Sequence, residues 1–327
     1  MPAQRESSSL LTVLVAFGAN VIVAIAKTFA AIITGSASLV AEAAHSWADA
    51  GNEIFLIQAE RRAAKPPDGA HPSGYGREAY VWSLFAAVGL FTAGAVVSIF
   101  HGVTQLWSDE PATDYFIAYI VLAVSFVFEG ISFVQSFRQA RNRAEERGTG
   151  TLETVLNTSN PTLRAVFAED SAALVGLLIA FLGVLLHELT GNAVYDAIGS
   201  ILVGVLLAIV AFVLIDRNRR FLLGEPGSER VTQTVLGMLL QHPEIDKVTY
   251  LHLEYVGPER FYLVAAVDLV GNDVESDVAA DLAAIEAEIE DNEYITEVVL
   301  TLSRPGAAPL RPDAVDRPDD TRIADRP

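Results

Sequence analysis

The stretch Ser38-Leu-Val-Ala-Glu-Ala-Ala-His-Ser-Trp-Ala-Asp49, running on through Asn52 and Glu53, decides how the chain is read. Its surroundings have the composition of a membrane span, yet His45 and Asp49 sit in it one helical turn apart. Ionisable groups at hydrocarbon depth are penalised by about 2.5–3.5 kcal/mol each on insertion scales. A chain keeps them there when something compensates, and a dehydrated divalent cation is the obvious candidate. Side chains at i and i+4 leave a helix on one face. An imidazole and a carboxylate at that spacing therefore supply half of a tetrahedral site for zinc or a similar ion. Glu42, His45, Asp49, Asn52 and Glu53 form one polar stripe, while Leu39, Val40, Ala43, Ala44, Trp47, Ala48 and Phe55 cover the other faces. The alternative is a hydrogen-bonded seam between helices, but such seams use neutral Ser, Thr and Asn. Three carboxylates and an imidazole suit an ion site better.

Outward from this stretch, a span needs about 20 mostly apolar residues. Six segments qualify: Leu10–Ile33, Ala37–Gln58, Tyr80–Leu106, Asp114–Phe137, Leu163–His187 and Ala193–Ile215. The first run is too long for a leader's apolar core and reads as a permanent span. Gly35-Ser36 leaves only a turn between the first two spans. Arg61, Arg62, Lys65 and Arg77 follow the second span. Arg138, Arg141, Arg143, Arg147 and Arg164 follow the fourth, and Arg217, Arg219 and Arg220 follow the sixth. The other connections are short or acidic, with Asp109, Glu110 and Asp114. The positive-inside rule then places both termini in the cytoplasm of a multi-pass protein, in the plasma or inner membrane.

The chain is 51% hydrophobic, which fits a membrane region joined to a soluble one rather than either alone. It has no cysteine, so disulfides and thiolate metal sites are excluded. Of the net charge of −19, −13 comes from the residues after Gly227, where 21 acidic residues face 8 basic ones. A basic nucleic-acid footprint is absent. From Ser228 the pattern predicts a helix over Glu229–Gln241, strands over Lys247–Tyr255 and Phe261–Val270, a helix over Asp277–Asp291 and a strand over Ile295–Leu302. The expected fold class is an all-α bundle of six transmembrane helices plus a cytoplasmic α+β domain of order α-β-β-α-β. The expected domains are residues 1–220, 228–303 and a disordered Pro- and Asp-rich tail, 304–327.

The fifth span supplies a plausible other half of the site in Glu169 and Asp170. Adjacent residues point about 100° apart, so only one is expected to face the second span. Asp170 lies deeper and is the expected ligand, with Glu169 as a second ligand or proton acceptor. The plainer alternative is that one pairs with Lys27 or caps a half-buried helix start. Lys27 reads as a structural partner for a carboxylate, and Glu129 as a lining residue of the same cavity. Asp196 reads as a helix cap or a charge at the outer mouth. Gly94, Gly176, Gly183, Gly199 and Gly204 read as helix-packing contacts.

These residues, in this order, resemble the cation diffusion facilitator family of zinc transporters. The resemblance rests on Gly35-Ser-Ala-Ser-Leu and His45-Ser-Trp-Ala-Asp49, on His71-Pro-Ser-Gly-Tyr-Gly-Arg77, on Asp196-Ala-Ile-Gly-Ser-Ile-Leu and on the α-β-β-α-β terminal domain. It implies that His45 and Asp49 are metal ligands of the second span. The family's fifth span carries His-x-x-x-Asp; here Asp170 fits the Asp and Val166 stands at the His, as in a branch with Glu-Asp where Glu169 replaces the imidazole. Asp68 and His71 match two positions of a weaker loop site, with Tyr75 at the third; the alternative is that His71 and Pro72 only shape the loop. Only His252 lies near the family's terminal-domain zinc positions, so no full cluster is expected. The resemblance also implies a homodimer through a ferredoxin-like, metallochaperone-like terminal domain.

The expected activity is secondary transport, not enzymatic catalysis. Zn²⁺ or a related divalent metal leaves the cytoplasm in exchange for H⁺, by alternating access at a midplane site between the second and fifth spans. The metal set is His45, Asp49, Asp170 and Glu169, with Glu42, Asn52, Glu53 and Glu129 along the pathway or behind the ligands. No cofactor is expected; the partners are the metal ion, the bilayer and a second copy. Two alternatives stand beside it: the same transporter carrying Mn²⁺, Fe²⁺ or Co²⁺, and a membrane metal sensor or assembly protein that binds without transporting.

Overall fold

The computed structural model describes residues 3–107 and 114–312. Asp109 and Glu110 of the acidic connection lie outside them. The chain divides into two units, one of Met1–Arg62 with Glu78–Arg219, the other of Ala63–Arg77 with Arg220–Pro327.

The first unit is helical: α1 (Ala3–Thr34), α2 (Ala37–Ala63), α3 (Glu78–Gly89), a π-helical turn (Leu90–Val96), α4 (Val97–Gln105), α5 (Tyr115–Arg147), α6 (Thr151–Asn157), α7 (Pro161–Thr190) and α8 (Val194–Leu222). Among the described residues, four stretches are long and apolar enough to cross a membrane: Glu78–Gln105, Tyr115–Glu146, Pro161–Thr190 and Val194–Leu222. Of the described residues, α1 contributes the shorter apolar stretch Asn20–Thr34, which the sequence continues upstream to Leu10, and the polar stripe keeps α2 below that apolarity. Several helices outrun the expected spans, α5 by a further ten residues to Arg147. Arg, Gln and Glu are good helix formers, so the helix has no reason to stop where the apolar run does. Gly148, left-handed at φ 63°, ends it with its N–H on Ala144 O and Glu145 O. Asn160 caps the start of α7 by accepting from Leu163 N, with Pro161 at the first helical position.

Two apolar clusters hold this unit. One joins α2 (Ala41, Ala48, Leu56), the third expected span (Ala87, Leu90, Ala95), α7 (Ala165, Ala172) and α8 (Val203, Leu207). The other joins α1 (Ala30, Ala31), α2 (Leu39), α5 (Ala118, Leu122) and α7 (Leu177, Ala180). Small residues dominate both, so backbones approach closely. A Cβ at Gly94 would stand 2.9 Å from Leu207, and one at Gly204 2.6 Å from Ile99. Phe29, Phe100, Phe116, Ile131 and Phe212 are exposed on the perimeter, as suits contact with lipid.

The second unit contains α9 (Glu229–Gln241), β1 (Ile245–Gly257), β2 (Arg260–Leu269), α10 (Glu275–Glu290) and β3 (Ile295–Leu302). The sheet order is β1-β2-β3, with β1–β2 antiparallel and β2–β3 parallel. The parallel pair needs a crossover, which α10 supplies. Val235, Leu236 and Leu239 of α9 and Ile285 and Ile289 of α10 pack on Val248, Leu253, Leu263 and Val267.

Strict alternation in β1 groups Val248 with Tyr250, His252 and Glu254. The structure instead buries Val248 beside Leu253, because a register shift between Val248 and Tyr250 changes the parity. The tail expected from 304 is ordered further: Leu310 N donates to Val248 O at 2.7 Å and its side chain joins the core. Residues 313–327 of that tail lie outside the described residues. The connection Ala63–Arg77 groups with this unit and not, as expected, with residues 1–220. Its Arg77 pairs with Glu254, Ser73 Oγ donates to Glu297 at 3.1 Å, and a Cβ at Gly76 would lie 2.5 Å from Val256 O.

Candidate metal site

The turn that starts α2 is fastened from α8. Asp196, buried, accepts from Ser36 Oγ at 2.9 Å, Ala37 N at 2.5 Å and Ser38 N at 3.2 Å. One carboxylate thus caps a neighbouring helix whose first N–H groups have no partner of their own. Gly183 and Gly199 make room there, since a Cβ on either would come within 2.8 Å of Ser38 Oγ. This anchoring fixes the rotation of α2 and so the direction of its stripe.

Between α1, α2, α5 and α7 lies a cavity of about 80 Å³, several times the roughly 10–15 Å³ that one water needs. Asp49, Glu53, Glu129, Glu169 and Asp170 all line it, with Asn20, Ser46 and Ser132. Three of the five carboxylates are held by neutral donors. Asn52 Nδ2 donates to Glu169 Oε1 at 2.8 Å, Ser132 Oγ to Asp170 Oδ1 at 2.9 Å, and Asn20 Nδ2 to Glu53 Oε1 at 2.6 Å. Asp49 Oδ1 and Glu53 Oε2 are buried without a hydrogen bond. Orphaned buried acceptors of this kind are costly unless something occupies the void beside them.

His45 is fully buried and lies behind Asp49 rather than on the cavity wall, its Nε2 3.4 Å from Asp49 Oδ2. Neither ring nitrogen has a hydrogen bond. Glu42 is turned away to Lys27, 3.0 Å from Nζ, with both side chains fully buried. Glu129 Oε1 is 3.8 Å from the same ammonium.

Both members of the Glu169–Asp170 pair line the cavity. The one that faces α2 is Glu169, against Asn52, whereas Asp170, the expected ligand, faces Ser132 of α5. Asn20 and Ser132 are cavity residues that the sequence reading missed. Ser132 carried a usable signal, standing three residues after Glu129 on the same helix face. Among the described residues, no three or more His, Asp or Glu side chains stand ready to hold a metal ion together. Asn52 and Ser132 each engage one oxygen of their carboxylate, and a cation would have to draw the carboxylates closer together.

The loop pair is exposed. Asp68 Oδ1 accepts from Ala70 N and His71 N, and Oδ2 accepts from Tyr75 Oη at 2.7 Å. His71 Nδ1 is 3.6 Å from Asp68, and its ring lies 4.0 Å from that of Tyr75. Both carboxylate oxygens are thus engaged in shaping the loop. His252 Nε2 is 3.6 Å from Glu254.

A family model described as the cation efflux transmembrane domain matches residues 13–223. Metal tolerance protein C4 of Arabidopsis thaliana is 36% identical over 71% of this chain and 51% of its own. The human proton-coupled zinc antiporter SLC30A9, mitochondrial, is 33% identical over 75% of this chain and 43% of its own. The manganese efflux system protein MneP of Bacillus subtilis is 24% identical over 76% of this chain and 80% of its own. The chain thus spans about half the length of the first two relatives.

Proposed function

Since the chain belongs to the cation diffusion facilitator family of cation efflux transporters, we propose that it exports Zn²⁺ from the cytoplasm in exchange for protons. The observation that carries this reading is the cavity with five carboxylates, enclosed by helices whose outer faces are apolar. Asp49 and Asp170 are the central ligands, with His45 behind Asp49 and Glu169 as a third carboxylate. Glu53 and Glu129 line the way in or out. α1 and α2 complete a six-span bundle with the four more apolar stretches, and the basic connections put both termini in the cytoplasm. A homodimer through the C-terminal unit follows from the family resemblance.

Divalent cations bind deprotonated carboxylates and neutral imidazole, so loading releases protons and reprotonation from the far side releases the ion. Rocking of helix groups about a fixed central site would expose it alternately to each side. The imidazole favours zinc. The oxygen-rich donor set supports a second reading with Mn²⁺ as cargo, the ion named for the Bacillus relative.

Proteoliposomes with an imposed pH step test the proposal. Wild-type protein is expected to move Zn²⁺, and D49N to move none. If the wild type transports no divalent metal under the step, or D49N matches it, the reading is wrong.

A further inference from the structure

We propose that Lys27 is a positioning residue that competes with the cargo cation for Glu129, holding metal affinity low enough for release. The inference rests on the carboxylate cavity being the transport site. Lys27 is fully buried on α1, and Nζ donates to Glu42 Oε2 at 3.0 Å. Glu129 Oε1, at 3.8 Å, is within ion-pair reach but beyond a hydrogen bond.

The two carboxylates differ in freedom. Glu42 is wholly enclosed, and Oε1 presses on α7 where Gly176 has no side chain; a Cβ there would lie 2.7 Å away. It has nowhere to go and stays with the lysine. Glu129 keeps 15% of its side chain exposed and lines the cavity. It is the one group of the three that can turn from the ammonium to an ion in the void. An arriving divalent cation must therefore take Glu129 from Lys27, and that competition weakens binding. A carrier gains from this, because a site lined by five carboxylates and no opposing charge would hold its cargo too tightly to let it leave.

Zn²⁺ titration of the purified full chain tests the idea. Removing Lys27 alone would strand Glu42 as a buried unpaired charge, so the pair is neutralised together in K27Q/E42Q. K27Q/E42Q is expected to bind Zn²⁺ about tenfold tighter and E129Q about tenfold weaker. K27Q/E42Q/E129Q should match E129Q, because the gain acts through Glu129. K27R, which keeps the charge, should bind like the wild type. An unchanged affinity in K27Q/E42Q with only a shifted melting temperature overturns the proposal, as does a gain that persists without Glu129. D49N separates the two levels: lost binding in D49N with no effect of K27Q/E42Q removes the lysine's role and leaves the site, whereas wild-type binding in D49N removes both.

Discussion

The side-chain amide of Asn52 donates a 2.8 Å hydrogen bond to Glu169, tying α2 to α7 at the cavity wall. Asp170, the next residue, is held by Ser132 of α5 at 2.9 Å. Two consecutive acids on one helix are thus oriented by two different neighbours and still look into one void. Asn52→Ala and Ser132→Ala remove these orienting donors without touching a charge. Each is expected to weaken Zn²⁺ binding by about 10–100-fold, the usual effect of removing a group that orients a ligand. Calorimetric titration checks this, and unchanged affinity in both variants would mean that the carboxylates need no such support.

Asp49 should trade stability for function. Its Oδ1 is buried without a hydrogen bond, beside four other carboxylates. Asp49→Asn removes that charge, so the metal-free protein is expected to gain about 1–2 kcal/mol in thermal or denaturant stability while losing Zn²⁺ flux. His45→Ala should also lose flux, but it opens a cavity behind Asp49 and is expected to lower stability by about 2–3 kcal/mol. Opposite signs on stability with the same sign on transport distinguish the two positions, read by parallel melting and vesicle assays.

Asp196 works by anchoring rather than by binding cargo. With three donors of the α2 start on its carboxylate, Asp196→Ala strands them in a buried place and is expected to cost about 1–3 kcal/mol of stability. Asp196→Asn keeps one acceptor and should recover part of it. Zn²⁺ affinity measured well below the melting temperature should stay within a few-fold of wild type; a loss as large as that of Asp49→Asn would instead make Asp196 part of the ion path.

Periodicity and charge made much of this readable beforehand. The stripe Glu42–Glu53 stood out because carboxylates in an apolar helix have no cheap explanation, and α9 and β3 came out with the expected bounds because amphipathic patterns end where their turns begin. Neutral partners were harder to see. Asn20 and Ser132 are ordinary residues in a membrane helix until a carboxylate is found opposite them. The π-helical turn at Leu90–Val96 left no trace, since a uniformly apolar run looks the same in either helix. The parity change at Val248 and the grouping of Ala63–Arg77 with the C-terminal unit are set by packing across distant segments, which no local pattern encodes.

The loop at Asp68 offers a test of whether a second metal position exists. The Tyr75 hydroxyl, then the backbone N–H of His71, hold the Asp68 carboxyl below its usual range. Its folded value is depressed, so the loop's contribution to stability is complete above the ordinary carboxylate pKa of about 3.9 and is lost as pH falls through the lower folded value. Tyr75→Phe removes the largest cause and should move the titration, followed by carboxyl chemical shift, back toward that ordinary value. The same bonds oppose metal binding. A cation at Asp68 and His71 must displace the Tyr75 hydroxyl from Oδ2 and would find only two protein ligands. Asp68→Ala is therefore expected to leave the Zn²⁺ stoichiometry of the full chain unchanged near neutral pH. Loss of one equivalent in Asp68→Ala, with the Asp49-dependent equivalent intact, would show that the loop binds metal after all.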